Sequence, residues 1–161
     1  MEHILEVRDV TVDFSGFKAL KNLSLSIGHG ELRFLIGPNG AGKTTLIDVI
    51  SGKVRPVSGS VVFKGAYELT RLQEHRIVRI GIGRKFQTPA LFPGLSVRSH
   101  LELACGVKSG ILGYLRRRSA KVRDRADALL ERLRLKEYAE MPAGSLSHGQ
   151  KQWLEIGMVL I

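Results

Sequence analysis

Polar and apolar residues alternate from Glu6 to Phe14, with Val10, Val12 and Phe14 on one side and Asp9, Thr11 and Asp13 on the other. A second alternation sets Leu23, Leu25 and Ile27 against Asn22, Ser24 and Ser26. A period of two belongs to strands with one buried face, so these stretches predict two antiparallel strands. Phe14-Ser15-Gly16-Phe17 predicts the turn between them, and Gly28-His29-Gly30 predicts a second turn. Leu32-Arg33-Phe34-Leu35-Ile36 is apolar almost throughout, as expected of a buried parallel strand. A helix is expected from Lys43 to about Gly52, a C-cap residue type. Pro56 to Gly59 predicts a turn, Ser60 to Phe63 a short strand, Leu72 to Arg79 a short helix, and Ile80 to Phe86 a strand running into Gln87.

After Pro93-Gly94 the period changes. Ser96 can cap a helix through Cys105 that buries Val97, Leu101 and Ala104. A glycine-bearing link leads to a second helix, where Ala126, Leu129, Leu130 and Leu133 fall at i, i+3, i+4 and i+7. Ser147 is an N-cap type for a last helix containing Trp153, Leu154, Ile156 and Val159. The expected division is 1–94, β strands and a loop-bearing α/β core; 95–145, all helical; and 146–161, a capped helix.

Two stretches carry candidate chemistry. Gly37-Pro38-Asn39-Gly40-Ala41-Gly42-Lys43-Thr44-Thr45 matches G-x-x-x-x-G-K-[ST] between an expected strand and an expected helix. Its glycines let successive N–H groups curl inward as an anion nest, and the helix start adds its positive dipole end. Lys43 would reach the β- and γ-phosphates of a nucleotide, and the Thr44 hydroxyl would ligate Mg²⁺. The second is Ser147-His148-Gly149-Gln150, where a serine, a glycine N–H and a helix start make another anion-binding device.

Composition adds bounds. With 161 residues the chain can build one core, and its single Cys105 excludes a disulfide framework. No apolar run approaches the ~18 residues of a membrane span. The chain is therefore expected to be soluble, or held at a membrane only through partners. Part of the net charge of +10 clusters at Arg116, Arg117, Arg118, Lys121, Arg123 and Arg125. Asp124, Asp127 and Glu131 lie among and beyond these charges, which suits a solvated helix face or a membrane-proximal surface. Without aromatic interleaving or a recognition motif, no nucleic-acid partner is expected. His75 and His100 lack a second ligand at metal spacing and are expected at the surface.

The order phosphate loop, Gln87 after a strand, helical insert, then Leu146-Ser147-His148-Gly149-Gln150 opening a helix resembles the ATP-binding subunits of ABC transporters. The usual signature is Leu-Ser-Gly-Gly-Gln, so His148 is the departure. Gly37-Pro38-Asn39-Gly40-Ala41-Gly42-Lys43 together with Gly81-Ile82-Gly83-Arg84-Lys85-Phe86-Gln87 is similar to the importer branch for branched-chain amino acids and urea. Glu31 to Ile36 together with Ser147 to Met158 most resembles the urea transporter's ATP-binding subunit. The resemblance implies a P-loop NTPase fold of the ABC class, with an antiparallel β subdomain, an incomplete RecA-like parallel core and an α-helical subdomain. It implies ATP and Mg²⁺ as cofactors and a second ATP-binding subunit, identical or not, meeting this one head to tail. Transmembrane permease subunits would hold the pair at the inner face of the membrane and link it to a solute-binding protein.

In that arrangement Phe14, with Phe17 as the alternative, would stack on adenine, and Gln87 would touch Mg²⁺ or the attacking water. Ser147, Gly149 and Gln150 would face the other subunit's nucleotide. The family pattern continues with an apolar strand ending in Asp, a catalytic Glu and a switch His, none of which this sequence contains. Glu140 and Glu155 lie outside that pattern and cannot stand in as the general base. The chain is accordingly expected to be a truncated product with negligible hydrolysis alone and with Leu32 to Ile36 left as an unpaired apolar edge. Other P-loop enzymes are disfavoured: a kinase needs no Leu146 to Gln150, and no guanine-reading Asn-Lys-x-Asp is present. A nucleotide-binding regulator that does not hydrolyse, or a branched-chain amino-acid importer, remain the alternatives.

Overall fold

The structure, a computed structural model, describes residues 3–85, 91–107 and 120–161. The chain divides into two compact units, Met1–Ile82 and Gly83–Ile161. In the first, β1 (His3–Phe14), β2 (Phe17–Gly28), β3 (Ser58–Phe63) and β4 (Tyr67–Glu68) form one sheet in the order β2-β1-β3-β4, antiparallel at every pairing. Helices α1 (Lys43–Ile50) and α2 (Glu74–Arg79) complete the unit, with a 3-10 turn at Leu69–Arg71.

β1 shows how the sheet corrects its own alternation. Leu5 and Val7 are two apart and buried, but the next buried apolar residue is Val10, three further on. The register with β2 shifts between Val7 and Val10, and Asp9 there adopts φ 48°. A bulge absorbs the extra residue and returns Val10 and Val12 to the core side. Asp9 is held in place by Ser24, whose hydroxyl accepts the Asp9 N–H at 2.8 Å and donates to its carboxylate at 3.0 Å. The core so formed joins Leu5, Val7, Val10, Val12 and Val61 to Leu46 and Val49 of α1 and Ile77 of α2. Each such side chain contributes about 1.5–3 kcal/mol on burial.

Two expected strands are absent. Leu32 to Ile36 forms no ladder with any described strand, and Leu32, Phe34 and Ile36 are 78%, 72% and 94% exposed. An apolar run becomes a strand only where a neighbour supplies partners for its N–H and C=O groups, and no described strand lies beside this one. Ile80 to Lys85 is likewise irregular, with Ile80 capping α2 and Gly81 in a turn; Phe86 lies outside the described residues. The turn expected at Pro56 to Gly59 is shorter, because β3 already begins at Ser58, which pairs with Thr11.

The second unit is built from α3 (Val97–Val107), α4 (Ala120–Arg132) and α5 (His148–Leu160), with 3-10 turns at Lys136–Tyr138 and Ala143–Ser145. Ser96 caps α3 as expected, its hydroxyl accepting the Ser99 N–H at 3.2 Å. Val97 and Leu101 of α3, Ala126 and Leu130 of α4, and Leu154 of α5 are fully buried together. Arg98 ties α3 to Asp127 of α4 and to Glu140, and these two carboxylates, Glu140 first, raise its guanidinium above the usual range.

His100 is fully buried, contrary to its expected surface position. Its Nδ1–H donates to the Ser96 carbonyl at 2.9 Å, and its Nε2 accepts the Phe92 N–H at 3.0 Å. Both ring nitrogens are satisfied by backbone, which permits a polar ring in an apolar core. It pins the residues before α3 to the helix.

Candidate functional site

Residues 37–42 connect the exposed run to α1. Gly40 and Gly42 adopt φ 83° and 81°, a region that side chains disfavour. At Gly42 the requirement is doubled, because a Cβ would lie 2.6 Å from the Ala19 carbonyl oxygen and 2.7 Å from Leu20 Cδ2. The loop is thus seated against β2, two residues after Phe17. Gly42 is the N-cap of α1, no side chain caps the helix, and no acid occupies its first turn. The terminal amides and the positive dipole end therefore keep their anion-binding capacity. Lys43 Nζ donates to the carbonyls of Gly37 and Pro38, each at 2.6 Å, and so folds back over the loop. Thr44 is exposed in the first turn, and its hydroxyl makes no hydrogen bond among the described residues; Thr45 is half-buried beside it. Pro38 and Ala41 close the loop through an Ala41 N–H to Pro38 carbonyl bond at 3.3 Å. Asn39 is exposed at its tip.

The run that feeds this loop is anchored at its start. Glu31 accepts the Gly28 N–H at 2.7 Å and pairs with Arg33, which also donates to the Ser26 carbonyl at 3.2 Å. The Gly28 amide first, then Arg33, hold the Glu31 carboxyl below its ordinary range. This clamp went unread in the sequence, although an acid three residues after a turn glycine is its signal.

Phe14 and Phe17 face each other across the β1–β2 turn and are 49% and 65% exposed. Both are open to a planar ligand, and their exposure does not separate them. Gln87 falls outside the described residues. In the second unit Ser147 and Gln150 form a reciprocal cap at the start of α5. The Ser147 hydroxyl accepts the Gln150 N–H at 3.3 Å, and Gln150 Oε1 accepts the Ser147 N–H at 2.8 Å. Gly149 is exposed, with nothing near where a Cβ would stand. His148 Nε2 lies 2.9 Å from the Gln152 side-chain amide, one turn along α5.

The two carboxylates set aside in the sequence are both engaged. Glu140 pairs with Arg98 at 2.6 Å, and Glu155, buried on α5, pairs with Lys85 at 3.3 Å. The segment carrying Lys85 runs close to α5, since a Cβ at Gly83 would lie 2.5 Å from Val159 Cγ1. Among the described residues no group of three or more His, Cys, Asp or Glu could hold a metal, and no helix is long and apolar enough to cross a membrane.

Comparison with known proteins adds the following. A family profile described as "ABC transporter" matches residues 20–161. The high-affinity branched-chain amino acid transport ATP-binding protein LivG of Salmonella typhimurium is 35% identical over 166 residues, covering 98% of this chain. The corresponding protein BraF of Pseudomonas aeruginosa is 33% identical, again over 98% of the chain. The chain spans 65% of the length of both relatives. The ADP conformation of MJ1267, an ATP-binding cassette of an ABC transporter, superposes with a TM-score of 0.84 at 32% identity, covering 99% of this chain and 65% of that one. A dimeric post-hydrolysis state of the cassette MJ0796 bound to ADP and Pi superposes with a TM-score of 0.78 at 27% identity, covering 97% and 68%. The fold is that of an ABC ATP-binding cassette, mixed α/β with an antiparallel sheet.

Proposed function

The chain belongs to the ABC transporter family, and we propose that it acts as the ATP-binding part of an ABC importer subunit for branched-chain amino acids. The observation that carries nucleotide binding is the uncapped start of α1 behind Gly40 and Gly42, with Lys43 lying over the loop. A triphosphate entering the nest would accept the free amides and draw Lys43 from the Gly37 and Pro38 carbonyls onto its own β- and γ-oxygens. The exposed Thr44 hydroxyl fits a Mg²⁺ ligand, and that ion would supply charge neutralisation between the phosphates. Phe14 gives the adenine an aromatic face, with Phe17 as its alternate, and Gln87 senses the γ-phosphate end.

The capped start of α5 is proposed to complete a nucleotide site on a second subunit, through Ser147, His148, Gly149 and Gln150. Permease subunits and a solute-binding protein follow as partners, which would place the assembly on the cytoplasmic face of a membrane. The relatives' activities favour branched-chain amino acids over urea as solute, although the run around His148 resembles the urea branch. With Glu140 and Glu155 held by cations, activation of the attacking water falls to other groups.

Photo-crosslinking with an azido-ATP analogue tests this reading. The wild-type chain is expected to be labelled in the phosphate-loop peptide, with Lys43→Ala weakening retention by about a hundredfold, two decades of affinity. Unchanged retention in that variant would remove the basis of the proposal. A growth assay on each solute, in cells supplying the permease subunits this reading requires, separates branched-chain amino acids from urea.

A further inference from the structure

The geometry points to a second ligand site, for a small aromatic or heteroaromatic anion, at the junction of α4 and α5. Arg132, Leu133, Arg134 and Leu135 from the end of α4 and Gln150 and Trp153 from α5 line a cavity of about 420 Å³. That volume falls within the ~300–1,000 Å³ of small-molecule sites. Two kinds of surface meet in it. Leu135 is buried beneath, and Trp153, the chain's single tryptophan, stands 54% exposed on the first turns of α5. Arg132 and Arg134, both exposed, bring two positive charges to the same lining.

Both arginines can take up an anion, and one of them sits on a strained backbone. Some cations of this unit are paired, Arg98 with Asp127 and Glu140, and Lys136 with Glu131. Among the described residues neither Arg132 nor Arg134 has a carboxylate partner. Arg134 also sits at φ 56°, where the chain leaves α4. The Arg134 N–H donates to Glu131 and the Leu135 N–H to Leu130, at 3.1 and 2.8 Å. That helix ending ordinarily takes glycine, and a side chain there strains the backbone. Strain of this sort is tolerated where it aims a side chain that is needed.

A bare inorganic anion would use the arginines and leave the indole and leucines in water. An apolar ring would use those and leave two unpaired charges. A planar ring bearing a phosphate or carboxylate satisfies both, through the guanidinium fork and the aromatic face. The site lies outside the phosphate loop, and Lys43 has no part in it. It also touches Gln150, whose Oε1 closes the cap on Ser147. A ligand engaging that amide would bias the cap, and a ligand at the cap would bias the site equally.

Phenyl phosphate is the probe. Titrated into the whole chain, it should change Trp153 fluorescence saturably, with isothermal calorimetry reading the same event. Inorganic phosphate and phenol should each bind at least about tenfold more weakly, since each satisfies one surface. Arg132→Gln should weaken binding about tenfold. Arg134→Gly should do the same while the melting temperature holds or rises, because glycine relieves the left-handed strain. Lys43→Ala should leave the titration unchanged. Absence of saturable binding by either readout overturns the proposal, as does binding that survives both arginine substitutions. Loss of binding in Lys43→Ala would instead assign the probe to the phosphate loop.

Discussion

Helix α1 begins at Gly42 with no side chain on its terminal amides, whereas α5 begins at Ser147 with both halves of a reciprocal cap in place. Both termini are candidate anion sites, yet their local stability has different origins. α1 gains nothing from capping and is held by burial of Leu46 and Val49 and by the close approach of Gly42 to β2. Its amides are therefore uncommitted. At α5 the cap already satisfies the Gln150 N–H, so an arriving anion competes with the Ser147 hydroxyl for it. An uncapped terminus suits a primary anion site, and a capped one suits a contact that forms only when a second molecule presents the anion.

The strongest way to break this contrast is Gly42→Val. Both the left-handed backbone and the 2.6 Å approach to the Ala19 carbonyl oxygen oppose a side chain there. The variant should lose about 3 kcal/mol or more in a urea titration. An unchanged midpoint would mean that glycine is not what seats the loop. Next, Ser147→Ala should cost about 1 kcal/mol, the usual worth of a hydroxyl cap. Thr44→Ala, in the first turn of the uncapped helix, should stay within about 0.5 kcal/mol. Equal losses at the two positions would erase the distinction between the termini.

A double-mutant cycle sharpens it further. Ser147→Ala and Gln150→Ala remove two halves of one device, so their effects should fall short of additive by about 0.5 kcal/mol. Strict additivity would show two independent bonds. The smallest effect concerns the approach to α1. The Glu31 carboxyl is held below its ordinary range, so it stabilises the fold above its unfolded-state pKa and loses that contribution as pH falls through the folded value. The melting temperature of Glu31→Gln should therefore lie slightly below wild type near neutrality, and the gap should close on acidification. A gap that stays constant would remove the charged clamp from the account.

Local chemistry was readable where its partners are close in the chain. The β1–β2 hairpin follows from two alternations and a short turn, and the cap on α5 from the residue type of Ser147. The bulge at Asp9 was not readable, because period-two reading takes each strand as regular while pairing with two neighbours sets the register. His100 misled for a related reason. A histidine without a second metal ligand reads as a surface residue, but the Ser96 carbonyl and Phe92 N–H that satisfy it are backbone groups carrying no sequence signal.

The sequence alone determined the glycine-rich loop before α1, the two caps at Ser96 and Ser147 and most of the buried faces of α3 and α4, since each depends on residue types within a few positions. Tertiary structure decided whether Leu32 to Ile36 pairs as a strand, which ring nitrogens of His100 are satisfied, and that Arg132, Arg134 and Trp153 share one cavity. Those outcomes rest on groups far apart in the chain, and apolar character by itself names no partner. Spacing specifies an element's periodicity and ends; only packing supplies the neighbour that pairs with it, buries it or leaves it exposed.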